Sequence, residues 1–189
     1  MNYFPKERKI LEAALMMFTR YGFKKTNISD IAREARIGKG TIYSYFKNKE
    51  ALFGEVCEWK LDEQEIVFNQ ALIKYRSKND PLIDYFIVRN LETKKLIANY
   101  RMSQETFNEF VSIFRSSPQK VKKILNDYFE LLVKGAKAGR YKPADHWKQA
   151  LFLYDFNSQY ISKWMKTPGE EMALEIKNTV GVVMRGILA

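Results

Sequence analysis

Apolar residues recur every three or four positions along almost the whole of this chain, and that spacing leaves few folds open. Ile10, Ala14, Met17, Phe18 and Tyr21 make one such stripe, closed by Gly22. A period near 3.6 puts these side chains on one face of a helix. Four prolines stand where helices open rather than break. Asp80-Pro81, Ser117-Pro118 and Thr167-Pro168 each set a capping side chain before a proline in the first turn. Lys142-Pro143 repeats the proline without the cap, and Thr167 to Glu170 has capping-box spacing. Gly139 ends a helix ahead of Pro143. No strand-like alternation, repeat or low-complexity tract interrupts the pattern. The spacing predicts an all-α chain of about nine helices, near 6–22, 28–35, 39–46, 49–76, 82–100, 104–115, 118–138, 143–166 and 169–187. The first three form a small N-terminal unit. The fourth is roughly 40 Å long at 1.5 Å per residue, long enough to join that unit to the body.

The 189 residues suit one compact domain, or a small domain attached to a larger one. The longest apolar run, residues 13–18, falls far short of the ~18 residues a membrane span requires. Glu12 interrupts the stretch that would serve a secretory signal. The one cysteine, Cys57, cannot form an internal disulfide, so the expected location is the cytoplasm. Cys57 lies in an apolar helical pattern and reads as packing. The one histidine, His146, lies between Asp145 and Trp147 and reads as part of a helix start. With no carboxylate cluster, paired carboxylates or nucleophile constellation, neither a metal site, a cofactor nor an enzyme is expected.

The formal charge is +10, and its placement matters more than its size. Residues 1–49 hold 11 Lys/Arg against 4 Asp/Glu, while residues 50–189 hold 21 against 18. A basic head on a near-neutral body suits polyanion binding, although charge alone also fits a solvated basic face.

The segment "TNISDIAREARIGKGTIYSYF" separates the two readings. Asn27 and Asp30 have the spacing of a helix-start cap. Ile28, Ile31, Ala32 and Ala35 give a short helix one apolar face. Arg36-Ile37-Gly38 is a tight connector, and Lys39 to Phe46 form a second helix with Ile42 and Phe46 inward. Two short helices, a glycine-containing turn and a basic surface make a helix-turn-helix. Lys39 can donate to guanine acceptors, and the methyl and hydroxyl of Thr41 suit base edges. Ser44 is a second base reader. Gly40 lets the helix approach the bases closely. Tyr43, Tyr45 and Lys49 can reach phosphates, which position the protein without reading sequence. Rival motifs fail: position 33 is Arg where a phosphate loop needs Gly, and position 43 is Tyr where a dinucleotide fingerprint needs Gly. Asn27-Ile28-Ser29 matches a glycosylation sequon, but nothing points to secretion.

Residues 6–60 resemble the N-terminal domain of the TetR family of bacterial one-component regulators. Phe18, Gly22, Phe23, Thr26, Ile31, Ala32, Ala35, Gly40, Thr41, Tyr43, Tyr45, Phe46, Lys49 and Leu52 fall on the family pattern. Two positions depart from it. Arg36 stands where the turn usually has Gly, which asks Arg36 for a conformation glycine takes more easily. Gly38 stands where the recognition helix usually starts with Ser, which gives up a side-chain cap. The resemblance implies an all-helical homodimer whose recognition helices enter successive major grooves of a pseudo-palindromic operator. The DNA-contacting set expected on this basis is Thr26, Asn27, Ser29, Arg36, Lys39, Gly40, Thr41, Tyr43, Ser44, Tyr45, Lys47 and Lys49.

The resemblance also divides the chain into a DNA-binding domain, 1–48, and a ligand-binding and dimerisation domain, 49–189. In the family the body encloses a small-molecule pocket. Phe86, Tyr100, Phe107, Phe110, Phe114 and Tyr128 are compatible with lining one, and equally with filling a core. In the eighth helix, Trp147, Leu151, Tyr154, Ser158, Ile161 and Met165 form one stripe, and Leu153, Phe156, Tyr160 and Trp164 another. A helix apolar on two faces is covered on both. The resemblance places the dimer interface on the last two helices, here Tyr154, Ser158, Ile161, Met165, Val180, Val183, Met184 and Ile187, with burial inside the same chain as the alternative reading. The expectation is a homodimeric, ligand-responsive repressor released from DNA by a small apolar or aromatic effector, without a membrane partner. A ligand-blind architectural DNA-binding protein of the same fold is the alternative, and a solidly filled body would favour it.

Overall fold

The computed structural model of the protein describes residues 3–75, 80–142 and 144–188, with side chains to residue 183. Among these residues it contains nine α-helices and no strand. They are α1 (Pro5–Tyr21), α2 (Ile28–Glu34), α3 (Lys39–Tyr45), α4 (Lys49–Lys74), α5 (Pro81–Asn99), α6 (Gln104–Ser116), α7 (Pro118–Lys137), α8 (His146–Trp164) and α9 (Gly169–Leu188). The expected all-α class and element order therefore hold.

Local chemistry accounts for most of the boundaries. Pro5 opens α1, and the Gly22 N–H closes it by donating to the Phe18 carbonyl at 2.9 Å. Gly22 has φ 84, a conformation that glycine adopts without steric cost. The Asn27 side chain caps α2, accepting the Asp30 N–H at 2.9 Å. Asn48 caps α4 through the Ala51 N–H at 2.7 Å. Asp80 caps α5 through Leu82, and Ser103 caps α6 through Thr106. Gly139, at φ 70, follows α7 as its left-handed stop.

One helix start and one cap differ from expectation, while α9 starts where expected. α8 opens at His146 with Asp145 as its cap, accepting the Lys148 N–H at 3.2 Å, while Pro143 lies outside the described residues. α9 opens at Gly169, with Met172 donating to the Pro168 carbonyl at 2.7 Å. The Thr167 hydroxyl instead donates back to Lys163 O, so Thr167 serves the end of α8.

The chain forms two compact units. One comprises the residues up to Ile66 together with Lys95–Ser117; the other comprises Val67–Lys94 and the chain from Pro118 onward. α4 and α5 each begin in one unit and end in the other.

The core of the first unit joins α1, α2, α3 and the start of α4. Ile10, Leu11, Ala14, Phe18, Ile31, Ile42, Leu52, Val56 and Cys57 are all but inaccessible in it. Tyr100, Phe110 and Ile113 pack against the same cluster, so α6 completes this core. The outward end of the α1 stripe differs from expectation. Tyr21 is exposed and Met17 only half-buried, while Leu11 and Leu15 turn inward. The core covers one side of α1, and Tyr21 lies at its edge with Arg20 beside its ring.

The second unit packs α7 and α8 with the start of α5 and with α9. Phe86 stacks on Tyr128 at 5.1 Å, and the Tyr85 hydroxyl donates to Asp127 at 2.8 Å. The Arg89 guanidinium lies 4.2 Å from the Phe68 ring centre. The second stripe of α8 is the inner one: Leu153, Phe156 and Trp164 are buried, with Tyr160 half-buried.

Candidate nucleic-acid interface

The reading head is built from segments too short to be stable alone. A seven-residue helix cannot offset its nucleation cost by its own hydrogen bonds, so tertiary burial holds it. α2 contributes Ile28, Ile31 and Ala32, all buried. α3 contributes Ile42, fully buried, and Phe46 just beyond its end. These anchors are four residues apart, one turn of helix, and turn the opposite face of α3 outward.

That outward face carries the chemistry expected of it. Lys39, Gly40, Tyr43, Ser44 and Tyr45 are exposed, and Thr41 is half-buried. Tyr43 retains 48% of its surface and Tyr45 39%, large values for aromatic side chains with no core role. The Lys39 ammonium stands 5.8 Å from the Tyr43 ring centre, one turn along the helix. The Ser44 hydroxyl donates to Thr41 O at 2.7 Å, and a hydroxyl so placed retains acceptor capacity for a base edge. Beside Gly40 an added side-chain carbon would meet nothing within 4 Å, so no contact within the protein requires glycine there.

The turn between the helices is set by backbone geometry. Arg36 takes φ 52, the left-handed conformation that its replacement of the usual glycine implied. Its N–H reaches Arg33 O at 3.1 Å, and the Ile37 N–H reaches Ala32 O at 3.0 Å, closing α2. The exposed Arg36 side chain is left on the solvent side. Gly38 precedes α3 with no side-chain cap, and its carbonyl accepts the Thr41 N–H at 3.0 Å. The exposed Asn27, Ser29 and Lys47 complete the set that solvent reaches. Asn27 divides its capacity, because its oxygen already caps α2.

Two expected DNA contacts are drawn inward. Thr26 is 2% exposed, and its hydroxyl bonds Gly22 O at 2.8 Å and Met17 O at 3.2 Å. A side chain enclosed in this way shapes the link between α1 and α2 and leaves almost none of its surface to solvent. Lys49 is half-buried. Its ammonium donates to Phe23 O at 2.9 Å and Thr26 O at 3.0 Å, and lies 4.3 Å from the Phe23 ring centre. Two of its three protons are committed, so at most one can meet a phosphate. Asn48, which starts α4, is a positioning residue that the sequence reading passed over. Its spacing to Ala51 is the signal that could have found it.

The residues expected around an effector fall in both units. Tyr100, Phe107, Phe110 and Phe114 belong to the first, and Phe86 and Tyr128 to the second. Phe110 meets Phe53 edge-on at 5.2 Å, and Lys60 stands 5.0 Å from the Tyr100 ring centre. Burial pushes the Tyr128 hydroxyl above the usual tyrosine range, so it stays neutral as it packs on Phe86.

On the expected dimer face, Tyr154, Ser158, Ile161, Met165 and Val183 are half-buried, while Met184 and Ile187 lie outside the described side chains. Val180 departs from the expectation. It is fully buried with Met172 and Ile176, one turn apart along α9, and so faces its own unit. Among the described side chains of that helix, Leu174 and Val182 are exposed apolar residues. Among the described residues, no helix is long and apolar enough to cross a membrane, and no cluster of acids, histidine and cysteine could hold a metal ion.

Comparison with known proteins agrees with this geometry. Residues 10–56 match the pattern described as bacterial regulatory proteins, tetR family. The chain is 29% identical over 172 residues to the HTH-type transcriptional regulator YhgD of Bacillus subtilis, covering 85% of each protein. It is 26% identical over 188 residues to the HTH-type transcriptional regulator AcrR of Shigella flexneri, covering 93% of this chain and 86% of AcrR. Its fold matches the fatty acid degradation regulator FadR of Bacillus halodurans with a TM-score of 0.69 at 19% identity, over 94% of this chain and 95% of FadR. The outward-facing Lys39-to-Tyr45 helix, on its buried Ile42 and Phe46 anchors, lies inside the matched stretch, and residues 10–56 carry the helix-turn-helix domain of the TetR family of bacterial regulatory proteins.

Proposed function

We propose that the chain acts as a homodimeric repressor that binds a pseudo-palindromic operator and leaves it when a small apolar or aromatic molecule binds the body. The observation that carries the DNA half is the two-sidedness of α3, whose apolar anchors are enclosed while Lys39, Tyr43, Ser44 and Tyr45 face solvent. In this reading Lys39, Thr41 and Ser44 meet base edges. Tyr43, Tyr45, Arg36, Lys47 and the free proton of Lys49 meet phosphates. Residues 1–48 serve as the DNA-binding domain and 49–189 as the effector and dimer domain.

Dimerisation is supported by α8. Its inner stripe is buried, yet Trp147 and Leu151 on the other stripe remain 47% and 49% exposed. A second copy covering that stripe would hold two reading heads about one helical turn of DNA apart, roughly 34–36 Å. Effector release then requires only that the ligand favour a dimer with a different separation, a coupling typically worth ~1–3 kcal/mol. The fatty-acid role in the name of the FadR relative makes fatty acids and their thioesters a sensible part of the effector panel, beside simple phenols.

The test is a gel-shift series with DNA flanking the chain's own gene, across a range of salt and with that panel. A specific complex whose affinity falls steeply with salt, and which one class of compound dissociates, supports the reading. Binding equal to that of unrelated DNA at every salt concentration overturns it.

A further inference from the structure

The backbone of Phe23 is held on both sides of its Cα. Its N–H donates to Glu109 Oε2 on α6 at 3.4 Å, and its carbonyl accepts the Lys49 ammonium at 2.9 Å. The Phe23 ring lies 5.7 Å from Phe18 and 4.7 Å from Phe53. Phe53 in turn meets Phe110, one residue beyond Glu109. Residue 23 begins the link between α1 and α2. Gly22 spends its N–H on closing α1, so the Phe23 N–H is the first backbone donor beyond the helix and finds its partner on α6. The link fixed here leads into α2 and, through the Arg36 turn, into α3.

Other α6 contacts converge on the same link. Thr106 is fully buried, with its hydroxyl 3.8 Å from where a side chain on Gly22 would begin. Glu105 pairs with Lys24 at 3.4 Å. That pair is exposed on both sides and contributes little. The Glu109 contact differs in kind: a half-buried carboxylate accepts a backbone N–H, at the long end of hydrogen-bond distance.

We propose that Glu109 is a positioning residue for DNA recognition. Acting through the Phe23 peptide, it holds α2 and α3 at the orientation in which α3 meets the duplex. The proposal rests on the DNA-reading role of α3 and extends it to a helix outside the matched residues 10–56.

The test uses the full-length protein and two variants. Glu109→Gln keeps an oxygen that can accept the Phe23 N–H; Glu109→Met keeps the length and loses the acceptor. Each is measured against a duplex selected by the wild-type protein from a random pool, against a random-sequence duplex, and for amide exchange at Phe23. Glu109→Met is expected to bind the selected duplex about tenfold more weakly. Its affinity for the random duplex should be undiminished, because that depends on lysine and arginine charge. Its Phe23 amide should exchange faster. Glu109→Gln should stay near wild type in all three. Unchanged affinity of Glu109→Met for the selected duplex, or equal loss on both duplexes together with a lower melting temperature, overturns the proposal. If the wild type itself enriches no duplex, the DNA-reading role of α3 fails and the proposal falls with it. Unaltered Phe23 exchange in Glu109→Met overturns the proposal as well, because Glu109 is held to act through that contact.

Discussion

Arg36 and Arg101 share one backbone conformation, φ 52 and φ 48, and are the two non-glycine residues with positive φ among those described. Each follows a helix that closes the same way. The Arg36 N–H reaches back to Arg33 O and the Ile37 N–H to Ala32 O; the Arg101 N–H reaches Ala98 O and the Met102 N–H reaches Ile97 O. Glycine usually occupies this position because a Cβ is strained there. Arg101→Gly is therefore expected to raise unfolding free energy by about 0.5–1 kcal/mol, the relief of strain exceeding the entropy that glycine adds to the unfolded chain. Urea denaturation reads the change, and a destabilised Arg101→Gly protein would contradict the strain.

Arg36→Gly separates stability from binding. The same gain in unfolding free energy is expected, with weaker DNA binding and a salt dependence shallower by about one unit if the side chain meets a phosphate. An unchanged salt slope would show that Arg36 serves the turn alone.

On α3 the two kinds of contact should part company. Tyr43→Phe removes one hydroxyl and should weaken binding to every duplex by about 1 kcal/mol. Lys39→Met should alter preference at one base pair by ~1–3 kcal/mol, read by selection from randomised DNA. A Tyr43→Phe variant of full affinity at physiological salt would refute the proposed docking.

Two glycines in helices should respond in opposite directions to alanine. At Gly135 an added Cβ collides with the Tyr141 ring, whose hydroxyl bonds Asp80, so Gly135→Ala should cost about 1–3 kcal/mol. At Gly54 nothing lies within 4 Å, so Gly54→Ala should gain about 0.5–1 kcal/mol from helix propensity alone. Thermal melts of the two variants check both signs.

Burial raises the pKa values of Cys57, Tyr85 and Tyr128, so all three retain their protons in the folded state at a pH where the unfolded chain releases them. The stability they contribute is fully present below the unfolded values, near 8.5 for cysteine and 10 for tyrosine, and is lost as pH rises further. The melting temperature should accordingly hold between pH 7 and about 8 and fall above about 9. Tyr128→Phe should flatten the part of that fall above about pH 10. Cys57 should resist thiol reagents at pH 8 until the protein unfolds.

Helix number, order and most boundaries were set by signals within a few residues of one another: an apolar period, a cap, a proline or a glycine. The helix-turn-helix could be read for the same reason, because Ile31, Ala32, Ile42 and Phe46 declare an inner face and leave the basic residues the outer one. Even the unusual turn at Arg36 was written locally, as a side chain in a place that favours none. Tertiary structure alone decided what depends on a partner distant in sequence. Thr26 and Lys49 fit a DNA-contact pattern, yet each turns toward carbonyls of the α1–α2 link that no spacing rule announces. Val180 shares its helical period with interface candidates, but its own unit encloses it. α6 is some fifty residues beyond the head in sequence, yet Phe110 and Glu109 complete that head. A periodicity reveals which faces of a helix seek cover; only the folded chain shows what covers them.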